Sequence, residues 1–362
     1  MGFKCGIIGL PNVGKSTLFN ALTKSQIPAE NFPFCTIDPN IGKVPLPDKR
    51  LYEINKIVNS NKVIHAALDL VDIAGLVKGA SSGEGLGNSF LSNIREMTAL
   101  AHVVRCFEDQ NITHVDGSVN PKRDVEVINL ELILSDLETV TKRIAKCEKL
   151  IKTNDKNNKI QLEILLLIQK DLENGQLINL KNFTEDEQKI IKSFQLLSSK
   201  PMFFIGNIND SEQSKKYIEQ LNEVAKELNT FVIPVSIKIE HEISTLEEEE
   251  KKEYLEVMGL DEPILNKIIL EGYKMLGLKT FFTAGPNEIR AWTIKDGFTA
   301  PNAAGVIHTD FERGFIKAEV IDFKDYIVNG GELGAKENGK LRLEGKEYIV
   351  QDGDVIHFKF NV

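Results

Sequence analysis

Residues 9–16, Gly9-Leu10-Pro11-Asn12-Val13-Gly14-Lys15-Ser16, complete the pattern G-x-x-x-x-G-K-S. That pattern means something only between a strand and a helix. Here an apolar run at 3–8 precedes it and a helical periodicity follows from Lys15 onward. The glycines let backbone N–H groups close around phosphate oxygens at a helix N-terminus. In such a turn Lys15 neutralises the β- and γ-phosphates and the Ser16 hydroxyl ligates Mg2+. Thr17 falls beside the α-phosphate, and Asn12, Val13 and Gly14 line the turn. The stretch reads as a nucleotide-binding phosphate loop.

Further along, 63–71 and 103–107 have strand character, and strands alternating with helices predict a doubly wound, mostly parallel α/β sheet. Asp72-Ile73-Ala74-Gly75 follows the 63–71 strand. Asp72 at that place can hold a magnesium-bound water, and the Gly75 N–H can sense a γ-phosphate. Between the two motifs, Asn31-Phe32-Pro33-Phe34-Cys35-Thr36 offers Thr36 to complete the magnesium shell. This order of elements is that of translation-factor-like GTPases. At the end of the 202–206 strand, Asn207-Ile208-Asn209-Asp210 stands where Asn-Lys-x-Asp reads a guanine, but the lysine is absent. Ser236-Ile237-Lys238 takes the place of the usual Ser-Ala-Lys.

The α/β pattern breaks near Pro121. Apolar residues at Leu130, Ile133, Leu137, Val140, Ile144, Cys147 and Ile151 alternate in steps of three and four, an a/d seam. A polar turn at 154–158, a second helix at 160–172 and a third after Thr184, with Glu187 completing a capping box, make a coiled-coil hairpin insertion. Lys142, Arg143, Lys146, Lys149, Lys152, Lys156 and Lys159 outnumber Glu148 and Asp155 around its tip. This basic cluster suits RNA phosphates or is a solvated face. After Leu278 short strands and turns predict a small β-rich domain with no catalytic constellation and Trp292 in its core. Expected domains are therefore 1–121 with 200–278 for nucleotide, 122–199 for the insertion, and 279–362. Glu247–Glu250 reads as a solvated acidic face.

With 362 residues, 42% hydrophobic and 27% charged, the chain is ordinary globular material of more than one domain. No apolar run approaches a membrane span and no signal peptide is legible, so a cytoplasmic protein without a membrane partner is expected. Net charge of −9 argues against DNA binding by the whole surface. The four cysteines, Cys5, Cys35, Cys106 and Cys147, form no metal or disulfide pattern and read as structural thiols.

The stretches 6–22, 31–40, 72–88 and 105–117 resemble the Obg-like ATPases of the YchF family, and the likeness runs along essentially the whole chain. The resemblance implies a P-loop ATPase that binds the ribosome and ribosomal RNA. It also implies stimulation by K+ held by Asn12, and a C-terminal TGS domain, a ubiquitin-like β-grasp. On that picture Asn207 meets the adenine amino group, Ile208 packs near the base and Ser236 lies beside it. Many family members carry Glu where this chain has Asp210, which leaves GTP open as an alternative to ATP. Leu76 occupies the position of the water-orienting glutamine and cannot do its work. His114, in a polar loop after a core strand, is the candidate to position water; a solvent-exposed spectator is the other reading. The family loop motif favours the first. Two rival functions stay open: a nucleotide-gated binding module with negligible turnover, and a GTP-specific ribosome-assembly GTPase. His65 and His102 read as structural, and 83–87 as a switch loop.

Overall fold

The computed structural model describes residues 3–24, 40–73, 86–115, 117–151 and 156–361. Thr36, Gly75, Leu76, Cys35 and positions 83–85 of the expected switch loop lie outside them, while its last two residues, Leu86 and Gly87, open a helix where a loop was expected. In chain order, β1 (Lys4–Ile8) enters the phosphate loop and α1 (Lys15–Lys24) leaves it; β2 (Ile41–Pro45), α2 (Lys49–Val58), β3 (Val63–Ile64) and β4 (Ala67–Asp72) follow. Next come α3 (Leu86–Glu96), β5 (Ala99–Arg105), α4 (Pro121–Ile151), α5 (Lys156–Glu173) and α6 (Glu185–Phe194). Then β6 (Met202–Asn207), α7 (Glu212–Glu227), β7 (Val232–Val235), α8 (Ile237–Ile243), α9 (Glu248–Met258) and α10 (Ile264–Met275) complete the middle of the chain. The last part holds β8 (Leu278–Ala284), β9 (Ile289–Lys295), α11 (Ala300–Ile307), α12 (Thr309–Arg313), β10 (Phe315–Ile321), α13 (Phe323–Val328), α14 (Glu332–Glu337), β11 (Arg342–Glu344) and β12 (Val355–Phe360).

One sheet has the order β2-β4-β1-β5-β6-β7. Its β1–β5, β5–β6 and β6–β7 pairings are parallel. This is the P-loop α/β fold expected. Because β1 lies between β4 and β5, the chain leaves it at a topological switch point, where such sheets open a crevice at the strands' carboxyl ends. β5 is buried along its whole length, including its final arginine.

The insertion is a helical hairpin. Val140, Ile144 and Cys147 of α4 are buried with Ile164, Leu165, Ile168 and Leu172 of α5. The seam departs from expectation at Leu130, which is 51% exposed, so it starts at Ile133. Thr184 and Glu187 form the capping box of α6 as the spacing required. The hairpin is fastened at its base by Asp136, whose buried carboxylate accepts from Leu197 N (2.9 Å), Ser198 N (2.7 Å) and Ser198 Oγ (2.6 Å). Burial raises its pKa, and those donors oppose the rise. Removing the acceptor strands two backbone N–H groups. Asp136→Ala is therefore expected to cost roughly 3 kcal/mol, read as a lower Tm in calorimetry; an unchanged Tm would show the anchor to be dispensable.

The second sheet has the order β11-β10-β12-β8-β9-β3. β8–β9, β10–β11 and β10–β12 are antiparallel and β12–β8 parallel. Ala300, Ala303 and Ala304 of α11 are buried with Phe281, Ile294, Val320 and Phe358, giving the β-grasp arrangement expected. Two expectations fail here. The strand predicted over 63–71 is broken, because Leu46 N–H is taken by the Ala66 carbonyl (2.7 Å) and the His65 ring by the Leu46 carbonyl (3.1 Å). Its first part, β3, joins β9 of the second sheet. Trp292 is only half-buried: Nε1 donates to Thr283 Oγ1 at 2.9 Å, and the Arg290 guanidinium covers its ring at 3.9 Å.

By contacts the chain forms two compact units. One contains Met1–Lys24, Pro39–Gly42 and Leu70–Lys251, the other Lys43–Asp69 and Lys252–Val362. This division differs from the expected boundaries. The insertion belongs with the phosphate loop's sheet because its first turn contributes Val125 to the core around Val104 and Phe204. The segment 252–278 belongs with the last strands because Tyr273 Oη of α10 donates to the Lys279 carbonyl at 2.9 Å and meets Thr280 Oγ1 at 2.8 Å. Among the described residues no helix is long and apolar enough to cross a membrane.

Candidate active site

The phosphate loop needs backbone that ordinary residues resist. Gly9 has φ of 148°, and a Cβ there would lie 2.4 Å from the Val103 carbonyl oxygen. Gly14 has φ of 104°, and a Cβ would meet Asn207 Nδ2 at 2.8 Å. Asn12 takes a left-handed φ of 61°, a conformation that asparagine tolerates. Glycine at 9 and 14 is thus demanded by both conformation and space.

Lys15 is folded back onto the turn, with Nζ donating to the Leu10 carbonyl at 2.7 Å. It is only 7% exposed. Burial pulls its pKa down to about 8 against the opposing pull of Asp72. The ammonium is thus under-solvated. A polyphosphate offers it the negative charge that the loop carbonyl lacks. Ser16 and Thr17 are exposed at the mouth of the loop. Asp72 ends β4 with one carboxylate oxygen buried and without a hydrogen-bond partner among the described residues. An exposed hydroxyl and an orphaned carboxylate oxygen are hard oxygen donors, the set that Mg2+ takes. The residues present therefore fit that ion.

Asn207, expected at the base, also braces the phosphate loop. Its Nδ2 donates to the Val13 carbonyl at 2.9 Å, and its Oδ1 accepts from Ile237 N–H at 3.3 Å. It ties the phosphate loop to the start of α8, and it is 7% exposed. Ile208 is half-buried with the cluster around Val104 and Tyr217. Ser236 is the N-cap residue of α8, with no side-chain capping bond, and Asp210 is exposed at the end of β6.

His114 corrects the sequence reading most clearly. The loop is exposed over 108–113, but the His114 side chain turns inward and is buried, with Nε2 2.9 Å from Oδ2 of the buried Asp124. Arg123 donates to the other oxygen of Asp124 at 3.1 Å. The preceding residue reaches the phosphate loop, since Asn12 Nδ2 donates to the Thr113 carbonyl at 3.3 Å. The whole 107–112 turn is held by Arg105, which donates to the carbonyls of Phe107 (2.9 Å), Ile112 (2.9 Å) and Asp109 (3.2 Å). Its guanidinium also lies 4.7 Å from the Phe107 ring centre. Burial lowers the Arg105 pKa against the surrounding acids.

Arg105 and Asp124 escaped the sequence reading. A charged residue closing an apolar strand was the available signal for Arg105, because a buried charge must find partners. Nothing in the spacing brings Asp124 to His114. His102 is structural as expected: burial and the Lys15 charge push its pKa down to about 3, so the ring is neutral beside Phe204. Cys5, Cys106 and Cys147 are buried free thiols, and burial pushes Cys5 up to about 12.

Over its full length the chain is 54% identical to the ribosome-binding ATPase YchF of Haemophilus ducreyi and 52% to that of Bacillus subtilis, covering 100% of each relative. It belongs to the YchF family. The solved structure of the Schizosaccharomyces pombe YchF GTPase superposes with a TM-score of 0.86 at 37% identity, covering 99% of this chain and 98% of that one. A family model described as a 50S ribosome-binding GTPase matches residues 4–170. A YchF-GTPase C-terminal model, described as a protein of unknown function, matches 278–361. The YchF relatives thus carry both ATPase and GTPase in their names, the same division that Asp210 raises here.

Proposed function

We propose that this YchF-family chain hydrolyses ATP with Mg2+, is stimulated by K+, and couples its nucleotide state to ribosome binding. The observation that carries the reading is the buried Lys15 on a strained phosphate loop, with an orphaned oxygen of Asp72 beside the same loop. Ser16 and Thr36, with Asp72 through water, would hold Mg2+, and the Asn12 carbonyl oxygen K+. Mg2+, when bound, draws charge from the β- and γ-phosphate oxygens.

The chain's own residues do the rest. Loop N–H groups from Asn12 to Thr17 orient the phosphates, Lys15 neutralises charge as the γ-phosphoryl departs, and Gly75 N–H senses it. His114 positions the attacking water in place of the glutamine that Leu76 cannot supply. Asn207 serves the base indirectly, by fixing the loop against α8, with Ile208 and Ser236 flanking it.

Ribosome docking is supported by Lys142, Lys146 and Lys149, exposed at one-face spacing on α4, with Lys159 exposed on α5. Arg143 drops out of this group because its guanidinium packs on the Phe194 ring at 5.0 Å. Such docking to ribosomal RNA would weaken steeply with salt. The 279–362 region would serve as a TGS-type docking domain.

Competition between labelled ATP and GTP tests the nucleotide. ATP is expected to bind more tightly, and Asp210→Glu to widen the gap. Preference for GTP, supported by Asp210 and by the GTPase names among the relatives, would transfer the reading to a ribosome-assembly GTPase. No phosphate release from either nucleotide, with K+ present, would leave a binding module.

A further inference from the structure

We propose that Asn209 is the positioning residue of nucleobase selectivity: its side-chain oxygen locks the turn after β6 and so fixes where Asp210 meets the base. The inference rests on the reading that the turn 207–210 receives the base, and it names the residue that gives that turn one shape. Three donors converge on Asn209 Oδ1: Ser211 N–H at 3.2 Å, Ser211 Oγ at 2.6 Å and Ser214 Oγ at 2.7 Å. A backbone N–H can only donate, so the side-chain atom facing it is the amide oxygen. The Asn209 N–H closes the network by donating to Ser214 Oγ at 3.3 Å.

The turn is anchored at both ends. Upstream, Asn207 is bonded to the Val13 carbonyl of the phosphate loop, and Ile208 N–H donates to the Val235 carbonyl at 3.0 Å. Downstream, Ser211 is the N-cap of α7 and accepts from Ser214 N–H at 3.3 Å, while Ser214 itself is 2% exposed. Asn209 joins the two anchors. Between them Asp210 is exposed, and its carboxylate makes no hydrogen bond or ion pair among the described residues. It is an acceptor open to a ligand N–H. Adenine offers its amino group, guanine its N1–H and N2 amino group, and these stand at different places on the ring. The base favoured is therefore decided by where the carboxylate is held. An acceptor fixed in advance discriminates between the two, and one that can shift follows either.

Competition binding of Mg-ATP and Mg-GTP to the full-length protein tests this, read as the ratio of the two Kd values. Asn209→Leu is expected to narrow that ratio by roughly three- to ten-fold, the reach of one hydrogen bond, whichever nucleotide the wild type prefers. Asn209→Asp offers carboxylate oxygens to the same three donors and should keep the ratio within about two-fold. In an Asp210→Ala background Asn209→Leu should change the ratio no further, because it acts through the missing carboxylate. Ser214→Ala removes one hydroxyl of the network and should narrow the ratio in the same direction. An unchanged ratio in Asn209→Leu overturns the proposal; if that variant does not fold, an unchanged ratio in Ser214→Ala overturns it. A loss in Asn209→Asp as large as in Asn209→Leu overturns it too, since the amide NH2 would then be what the base meets. A wild type that binds ATP and GTP equally removes the base reading of 207–210 and this inference with it. A wild type that prefers GTP overturns only the choice of nucleotide, and the same ratios still decide the role of Asn209.

Discussion

Arg105→Met lowers the Tm of the phosphate-loop unit by roughly 10 °C and turnover at least about ten-fold. The methionine keeps much of the buried stem's volume, so the loss is of the guanidinium. Three carbonyls, of Phe107, Asp109 and Ile112, then lose a charged donor. Bonds from charged donors are worth more than neutral ones, and the guanidinium that makes all three comes from a buried side chain although the turn it holds is exposed. Taking about 4 kcal/mol in total, and 2–4 °C per kcal/mol for a unit of this size, gives the stated shift. Turnover falls for a different reason: the 107–112 turn leads directly into Thr113 and His114, and the ring proposed to position water loses its fixed approach. Calorimetry and phosphate release measure the two effects separately. A Tm within about 2 °C of wild type would mean that the turn is held by something else.

Lys15→Met abolishes hydrolysis, by about 100-fold or more, without destabilising the nucleotide-free protein at pH 7. The first half follows from the lysine's place at the phosphates. The second follows from its solvation. In the folded chain burial brings its pKa from 10.5 to about 8, with Asp72 opposing. Because the folded pKa is depressed, the charged side chain disfavours the folded state most fully below about pH 8. That penalty is relieved as pH rises from there towards the unfolded value. At pH 7 it amounts to about 3 kcal/mol, more than the roughly 1 kcal/mol lost with the Leu10 hydrogen bond. Methionine removes both, so Tm at pH 7 should hold or rise, and the advantage over wild type should shrink above pH 8. A variant that unfolds more readily at pH 7 would show that the lysine is a structural strut.

The two predictions separate the kinds of information in this chain. The phosphate loop was legible because its requirements are local. Gly9 and Gly14 adopt backbone angles that other residues resist, and Lys15 and Ser16 follow at fixed positions on the next helical turn. The heptad seam of α4, the capping box at Thr184 and the change of character near Leu278 were legible for the same reason: each is a repeat or a short-range bond. Even so, Leu130 shows the limit, since the periodicity that put it in the seam could not tell which turn of α4 lies beyond the end of α5.

Sequence alone determined that this chain builds a P-loop α/β sheet, a helical hairpin and a small β-rich C-terminal region, and which residues form the phosphate-loop turn. Tertiary structure decided that 63–71 is shared between two sheets, that Asn207 braces the loop, and that His114 is buried against Asp124. The reason is physical. Backbone angles and helical faces are set by neighbours a few positions away. A buried ring, amide or guanidinium instead takes whichever partner folding brings to it, and those partners stand ten residues away for His114 and 194 for Asn207.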